Sequence, residues 1–235
     1  MICYAFPLGH EAADVLKQCR QKESFSIGGL QCTLGNFGNR PILIALVGMG
    51  QDRARENTQT IFSFFRLKAF ILAGYGGALV EPLKLGQVVV SNNFTTEEVL
   101  PFLRLLSGFD FASFGTANEL TGTPEKRDMF ARMTEGHVVD METAAVAEVV
   151  HSRQIPFMAV RVITDEYHQV LPVGALASAY DQTKGRTTPA RLLWRLATHP
   201  REYAPFKKFV DGLEPARRNL TSFLLQLNDE LPRGW

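Results

Sequence analysis

Pro41-Ile-Leu-Ile-Ala-Leu-Val47 is apolar at every position and is closed by Gly48-Met49-Gly50. A strand with one wet face alternates apolar and polar residues, so an unbroken apolar run reads as a strand covered on both faces. A helical pattern follows from Asp52 to Phe65, with Asp52 as a candidate N-cap. Strands and helices alternate on either side, with no internal repeat. Ile2 to Phe6 reads as a buried strand, Pro7-Leu8-Gly9 as a loop and Glu11 to Cys19 as a helix. Residues 25–34 read as a further strand. Ala69 to Ala73 reads as a buried strand ending in a glycine-rich turn, Gly74-Tyr75-Gly76-Gly77-Ala78, and Gly86 to Val90 opens the next strand. Segment 92–123 mixes short apolar runs with polar turns and yields no assignment. Thr123 caps a helix with Pro124 at its first position, running to Met133. Val138 to Val150 predicts an alanine-rich, mostly buried helix, and Phe157 to Ile163 a buried strand. From residue 174 helices dominate, with Pro189, Pro200, Pro205 and Pro215 marking starts or breaks. Strands alternating with helices predict a three-layer α/β/α fold, its central twisted sheet mixed but mostly parallel. The expectation is one domain over 1–235, with 174–235 a C-terminal helical extension.

A chain of 235 residues can bury a large core. The net charge of +1 and the lack of a long Lys/Arg run argue against a nucleic-acid partner. Cys3, Cys19 and Cys32 are odd in number and lack metal-ligand spacing, so they read as reduced thiols of a cytoplasmic protein. His10, His137, His151, His168 and His199 form no HExxH-type pair, and no metal is expected. The opening residues resemble no signal peptide, and no apolar run is long enough to span a bilayer.

Three features carry chemistry. In Val139-Asp-Met-Glu-Thr-Ala-Ala-Val-Ala147 two carboxylates, Asp140 and Glu142, stand at the head of an apolar segment. They read either as helix N-terminal acids favoured by the macrodipole or as ligand groups needing partners. In Ala159-Val-Arg-Val-Ile-Thr-Asp165 an arginine interrupts a buried strand and an aspartate ends it. A buried Arg161 needs a carboxylate, for which Glu142 and Glu11 are the natural candidates; the other reading is a structural ion pair followed by a Thr-Asp turn. Parallel sheets bind ligands outside the carboxyl ends of their strands, where Asp165 falls. The third feature is the pair of glycine-rich turns, at 48–50 and 74–78, where backbone can approach a ligand. Arg53 occupies the place of the third glycine of the dinucleotide fingerprint, and no Walker lysine is present, so NAD and nucleotide-loop binding are rejected. No cofactor is expected.

Together these segments resemble the nucleoside phosphorylase and nucleosidase superfamily, above all its methylthioadenosine/S-adenosylhomocysteine nucleosidase branch. Residues 139–147 resemble its V-(E/D)-M-E-x-A-A-x-A run, and Ile155-Pro-Phe-Met-Ala-Val-Arg-Val-Ile-Thr-Asp165 its P-F-x-x-(I/V)-R-x-(I/V)-(S/T)-D run. Residues 74–91 resemble a G-x-A-G-G-L segment followed by L-x-x-G-D-x-V-x-S. The resemblance covers roughly residues 2–170 and implies a phosphorylase/hydrolase-like fold. It further implies that Asp165 protonates N7 of a leaving purine and that Glu142 holds the ribose hydroxyls. Met141 would pack on sugar and base, Glu11 would activate water, and Arg161 would orient Glu11, Glu142 or the water. Asp140, Tyr75, Gly76, Gly77 and Leu120 would line the substrate site. The reaction implied is hydrolysis of the N-glycosidic bond of an adenosine-type nucleoside carrying a 5′ substituent, in a homodimer.

Two other readings remain open. In a phosphate-dependent phosphorylase an arginine binds phosphate; here Arg53 is the candidate anion ligand and Arg55 its neighbour. A non-catalytic nucleoside-binding homologue is the third. Departures from the family pattern include Tyr75 at a usually small position, Gln87 for Asp, Asn118 for an acid and Leu120 for the aromatic that stacks on adenine. The C-terminal pattern resembles the hopanoid-biosynthesis branch, which removes adenine from adenosylhopane; it comprises Val170-Leu-Pro172, Lys184-Gly-Arg186, Leu192 to Ala197 and His199-Pro200. A lipid-tailed substrate would suit apolar helix faces bearing Arg191, Arg195, Lys207 and Lys208, in peripheral contact with a membrane.

Overall fold

The computed structural model describes residues 1–181 and 186–235, and side chains outside 180–187. Lys184 and Gly185 therefore lie outside the described residues. The chain runs β1 (Ile2–Phe6), α1 (Gly9–Gln18), β2 (Arg20–Ile27), β3 (Leu30–Phe37), β4 (Arg40–Leu46), α2 (Gln51–Phe64), β5 (Ala69–Ala78) and β6 (Val88–Ser91). It continues through α3 (Leu100–Leu103), β7 (Phe109–Ala112), β8 (Phe114–Thr116), α4 (Pro124–Thr134), β9 (Val138–Asp140), α5 (Thr143–His151) and β10 (Phe157–Asp165). The C-terminal part holds α6 (Val173–Ala179), a short β11/β12 ladder (Tyr180–Asp181, Arg186–Thr187), α7 (Pro189–Thr198) and α8 (Tyr203–Glu230).

One sheet carries the order β2-β3-β4-β1-β5-β10-β6-β7, with β9 added beside β5 and β8 beside β9. Its centre is parallel: β1 pairs with β4 and β5, and β5 with β10. The period-two alternation of these strands builds two cores. Ile2, Tyr4, Phe6, Met158, Val160 and Val162 face α1, α3 and α8. Cys3, Ala5, Leu43, Ala45, Phe157, Ala159 and Ile163 face α2 and α5. Both faces are therefore apolar, which is why the run 41–47 shows no polar alternation.

Several boundaries differ from expectation, each for a local reason. Residues 25–34 are the end of β2, a turn and the start of β3; Gly28 and Gly29 take φ of +57° and +92° there, the positive pair that a tight hairpin requires. Asp52 is not the cap of α2 but sits in its first turn, behind Gly50 at the N-cap position. The run 74–78 is not a turn but the second half of β5. Its glycines supply space: a Cβ on Gly74 would lie 2.8 Å from Glu11 Oε1, one on Gly76 2.8 Å from Val138 Cγ1, and one on Gly77 2.7 Å from Asp165 Oδ2. Val138 to Asp140 is strand, not helix, because it is wedged between β5 and β8. Pro215 lies inside α8 without ending it, since Gly212 before it and Ala216, Leu220, Phe223, Leu224 and Leu227 after it are buried. Thr123 does cap α4, its hydroxyl accepting from the Lys126 amide at 3.4 Å.

Cys3, Cys19 and Cys32 are buried free thiols. Among the described residues no helix is long and apolar enough to cross a membrane, and no group of three His, Cys, Asp or Glu could hold a metal ion.

Candidate active site

The carboxyl ends of β1, β4, β5 and β10 converge on one cleft, as open parallel sheets lead one to expect. Glu11, Tyr75, Gly76, Gly77, Leu120, Asp140, Met141, Glu142 and Asp165 all line it. Met49, from the glycine-rich turn at 48–50, also lines it, with Leu171, Leu176 and Phe209.

Glu11 stands in the first turn of α1, where its side chain returns to the helix start. Oε2 accepts from the Leu8 amide at 2.7 Å and Oε1 from the Tyr75 amide at 2.8 Å. Gly74 leaves the room for this approach. Burial pushes the Glu11 pKa up to about 7, against the nearby Arg161 and the two amides. The Tyr75 hydroxyl meets His10 Nδ1 at 2.9 Å, and His10 Nε2 meets Arg217 Nη1 at 2.9 Å, which anchors α8 to this end of the cleft.

Arg161 is fully buried in β10, on the face that looks toward α5. Its main partner is neither Glu142 nor Glu11 but Asp140, whose Oδ2 takes Nε at 2.9 Å and Nη2 at 2.5 Å. Glu142 Oε2 stands farther off, 3.7 Å from Nη2. Asp140 also accepts from the Thr116 hydroxyl at 2.9 Å and from the Thr143 amide and hydroxyl. Both Asp140 oxygens are thus engaged within the protein. It borders the cleft and is the counter-ion of Arg161. Glu142 is less satisfied. Its Oε1 accepts from the Gly50 amide at 2.9 Å, and its pKa is raised by burial and by the Asp140 charge.

Asp165 ends β10 at the cleft, beside Gly77 and 6% exposed. Its Oδ2 accepts from Arg127 Nη2 at 2.6 Å and its Oδ1 meets the Thr164 hydroxyl at 3.0 Å. Burial lifts its pKa to about 6, with Arg127 opposing. Arg127 was missed from sequence, because α4 (PEKRDMFARMT) is rich in charge and reads as a solvated helix. The available signal was weak: Arg127 shares a face with Phe130 and Ala131, three and four residues on, which pack inward.

The remaining expectations concern arginines and the base-side loop. Arg53 does not line the cleft. It lies in the first turn of α2 with its stem folded over Gly48, where a Cβ would come within 2.6 Å of its Cδ. Arg55 pairs with Glu148 at 2.5 Å on the surface between α2 and α5. Asn118 is turned to Gln51 at 2.7 Å, whereas Leu120 borders the cleft.

A sequence profile of the Phosphorylase superfamily matches residues 2–115 and 114–197. The chain belongs to the Phosphorylase superfamily. This member is similar to the 5′-methylthioadenosine/S-adenosylhomocysteine nucleosidase of Shewanella pealeana, 22% identical over 195 residues that cover 69% of this chain and 85% of the relative. The enzyme of the same description from Bacillus cereus is 22% identical over 184 residues, covering 62% of this chain and 77% of its own. Among solved structures, the Streptococcus pyogenes S-adenosylhomocysteine nucleosidase in complex with 5-methylthiotubericidin superposes with a TM-score of 0.72 at 15% identity, covering 98% of this chain and 97% of that one. The futalosine hydrolase of Helicobacter pylori gives 0.75 at 17% identity, again over 98% and 97%. At these identities the superpositions speak for the shared fold.

Proposed function

We propose that this superfamily member is a purine nucleosidase: it cleaves the N-glycosidic bond of an adenosine-type nucleoside with a 5′ substituent, using water. One observation carries the reading. The cleft is bordered by Glu11, Glu119, Asp140, Glu142 and Asp165, and no lysine or arginine lines it among the described residues. No cationic side chain is presented there to hold a phosphate dianion, while the carboxyls can take a proton from water and face a sugar developing positive charge. Relatives described as nucleosidases support the same choice.

In this reading Glu11 takes a proton from water as the water oxygen bonds to C1′. The C1′–N bond breaks with its electron pair on the base, and Asp165 delivers its proton to N7. Each carboxyl has a pKa near the working range, about 7 for the base and about 6 for the acid. Glu142, held by the Gly50 amide, is left to engage ribose hydroxyls and the oxocarbenium-like charge. Met141 packs on the sugar, and Leu171, Leu176 and Phe209 give an apolar wall suited to an apolar 5′ group. The reading extends to a homodimer. For a lipid-tailed substrate it adds peripheral membrane contact through exposed Leu193 and Trp194 of α7, beside Arg191. Failure to sediment with anionic vesicles would remove that last element.

The test is chromatographic detection of free base from methylthioadenosine, S-adenosylhomocysteine, adenosine, inosine and futalosine, with and without phosphate. Release without phosphate is expected. Release only with phosphate would make the enzyme a phosphorylase.

A further inference from the structure

Arg127 is the largest fully buried side chain outside the sheet, and every nitrogen of its guanidinium is committed. Nη2 holds Asp165 at 2.6 Å, Nε donates to the Thr121 carbonyl at 3.1 Å, and Nη1 donates to the carbonyls of Tyr167, at 3.0 Å, and Glu166. Thr121 belongs to the loop that borders the cleft, and residues 166–167 follow β10 directly. One planar group therefore ties α4, the cleft loop and the chain after β10 around a single carboxyl.

A buried ion pair on the proposed acid is a conflict if read naively, because a cation discourages a carboxyl from keeping its proton. The conflict resolves when the whole proton transfer is followed. Burial lifts the carboxyl to about 6, so a fraction still carries the proton as neutrality is approached; once that proton passes to the base, an anion remains in a site almost closed to water. Arg127 is the cation in contact with that anion. Against Asp165, β5 presents Gly77, the neighbouring Thr164 offers a hydroxyl, and Glu166 turns to the Leu85 amide. Asp128, on α4, holds the Tyr167 hydroxyl. The other charged groups bordering the cleft are Glu11, Glu119, Asp140 and Glu142, all acids, and Arg161 is committed to Asp140.

We propose that Arg127 is a positioning residue for the glycosidic cleavage: it fixes Asp165 through Oδ2, directs the proton of Oδ1 toward the leaving base, and stabilises the carboxylate left behind. This rests on the nucleosidase reading for its substrate, but not for its electrostatics. Proton and charge balance within the step: Asp165 loses the proton that the base gains, and Arg127 stays charged throughout.

The experiment is a carboxyl-carbon NMR titration of Asp165 in the free protein, its signal assigned by loss in Asp165→Asn, together with kcat and KM. In Arg127→Met the Asp165 midpoint should rise by about one to three units, and kcat should fall at least about tenfold with little change in KM. Arg127→Lys, which keeps the charge, should bring the midpoint back to within about one unit of the wild type. A midpoint in Arg127→Met unmoved from the wild type would overturn the proposal, whatever happens to turnover. Should Arg127→Met not fold, Arg127→Gln, which keeps a donor but no charge, carries the same expectation. If wild-type protein releases no base, the nucleosidase reading falls while the titration still decides the role of Arg127.

Discussion

Arg161 and Arg127 are both fully buried beside the cleft, yet they serve different charge balances. Arg161 rises from the middle of β10 among three acids: Asp140 in direct contact, Glu142 at 3.7 Å, and Glu11 close enough for its charge to be felt. Arg127 reaches in from α4 to one acid and three backbone carbonyls. On the Arg161 side three acids share one cation; it compensates Asp140, and burial leaves Glu11 and Glu142 reluctant to ionise. On the Arg127 side the charges match one to one. In the proposed mechanism the Arg161 side would accept a proton and face a cation, and the Arg127 side would give up a proton and keep an anion.

The largest expected effect is on the Arg127 side. Asp165→Asn should keep the fold, being nearly isosteric, and lower turnover by about 10²- to 10⁴-fold in the base-release assay. Unchanged turnover would remove Asp165 from the acid role. On the other side, Arg161→Met strips Asp140 of its counter-ion in the core and should cost about 3–5 kcal/mol in urea unfolding. A loss under about 1 kcal/mol would mean that the Asp140 contacts with Thr116 and Thr143 suffice alone.

Glu11 sharpens the comparison through pH. Its folded-state pKa lies above the ordinary carboxylate value, so its burial is harmless in acid and weakens the fold as pH rises through about 7. Glu11→Gln should therefore flatten the decline of stability between pH of about 5 and 8 by roughly 1–3 kcal/mol, besides losing turnover. A decline as steep as in the wild type would show that the Glu11 carboxylate is not held against its charge. The smallest effect belongs to Lys126, next to Arg127 on α4 but paired with Glu119 in solvent at 53% and 80% exposure. Lys126→Ala should change unfolding free energy by less than about 0.5 kcal/mol. A larger change would blur the contrast between the two faces of α4.

What the sequence reveals follows the same division. Arg161 is legible because a charge inside an apolar strand is an anomaly that demands a partner, although which carboxylate answers depends on β9, a strand of three residues that shows no period. Because β9 merges with the alanines of α5, the segment reads as one helix and Asp140 as a ligand group. Gly74, Gly76 and Gly77 read as a turn, since glycine signals freedom in φ; here they serve to admit Glu11, Arg161 and Asp165 against β5. Arg127 is hidden among exposed charges, and its burial depends on where the chain after β10 passes. The elements between 97 and 116 are three or four residues long, too short for periodicity to identify. By contrast β1, β4 and β10, long or apolar throughout, are legible with nearly their observed bounds.

The central claim is that water, activated by Glu11, attacks the sugar. Turnover of an adenosine-type nucleoside in heavy-oxygen water, in the presence of phosphate, tests it most directly. The account predicts free sugar carrying the heavy oxygen at C1′ and adenine carrying none. A sugar 1-phosphate without label at that position would contradict it.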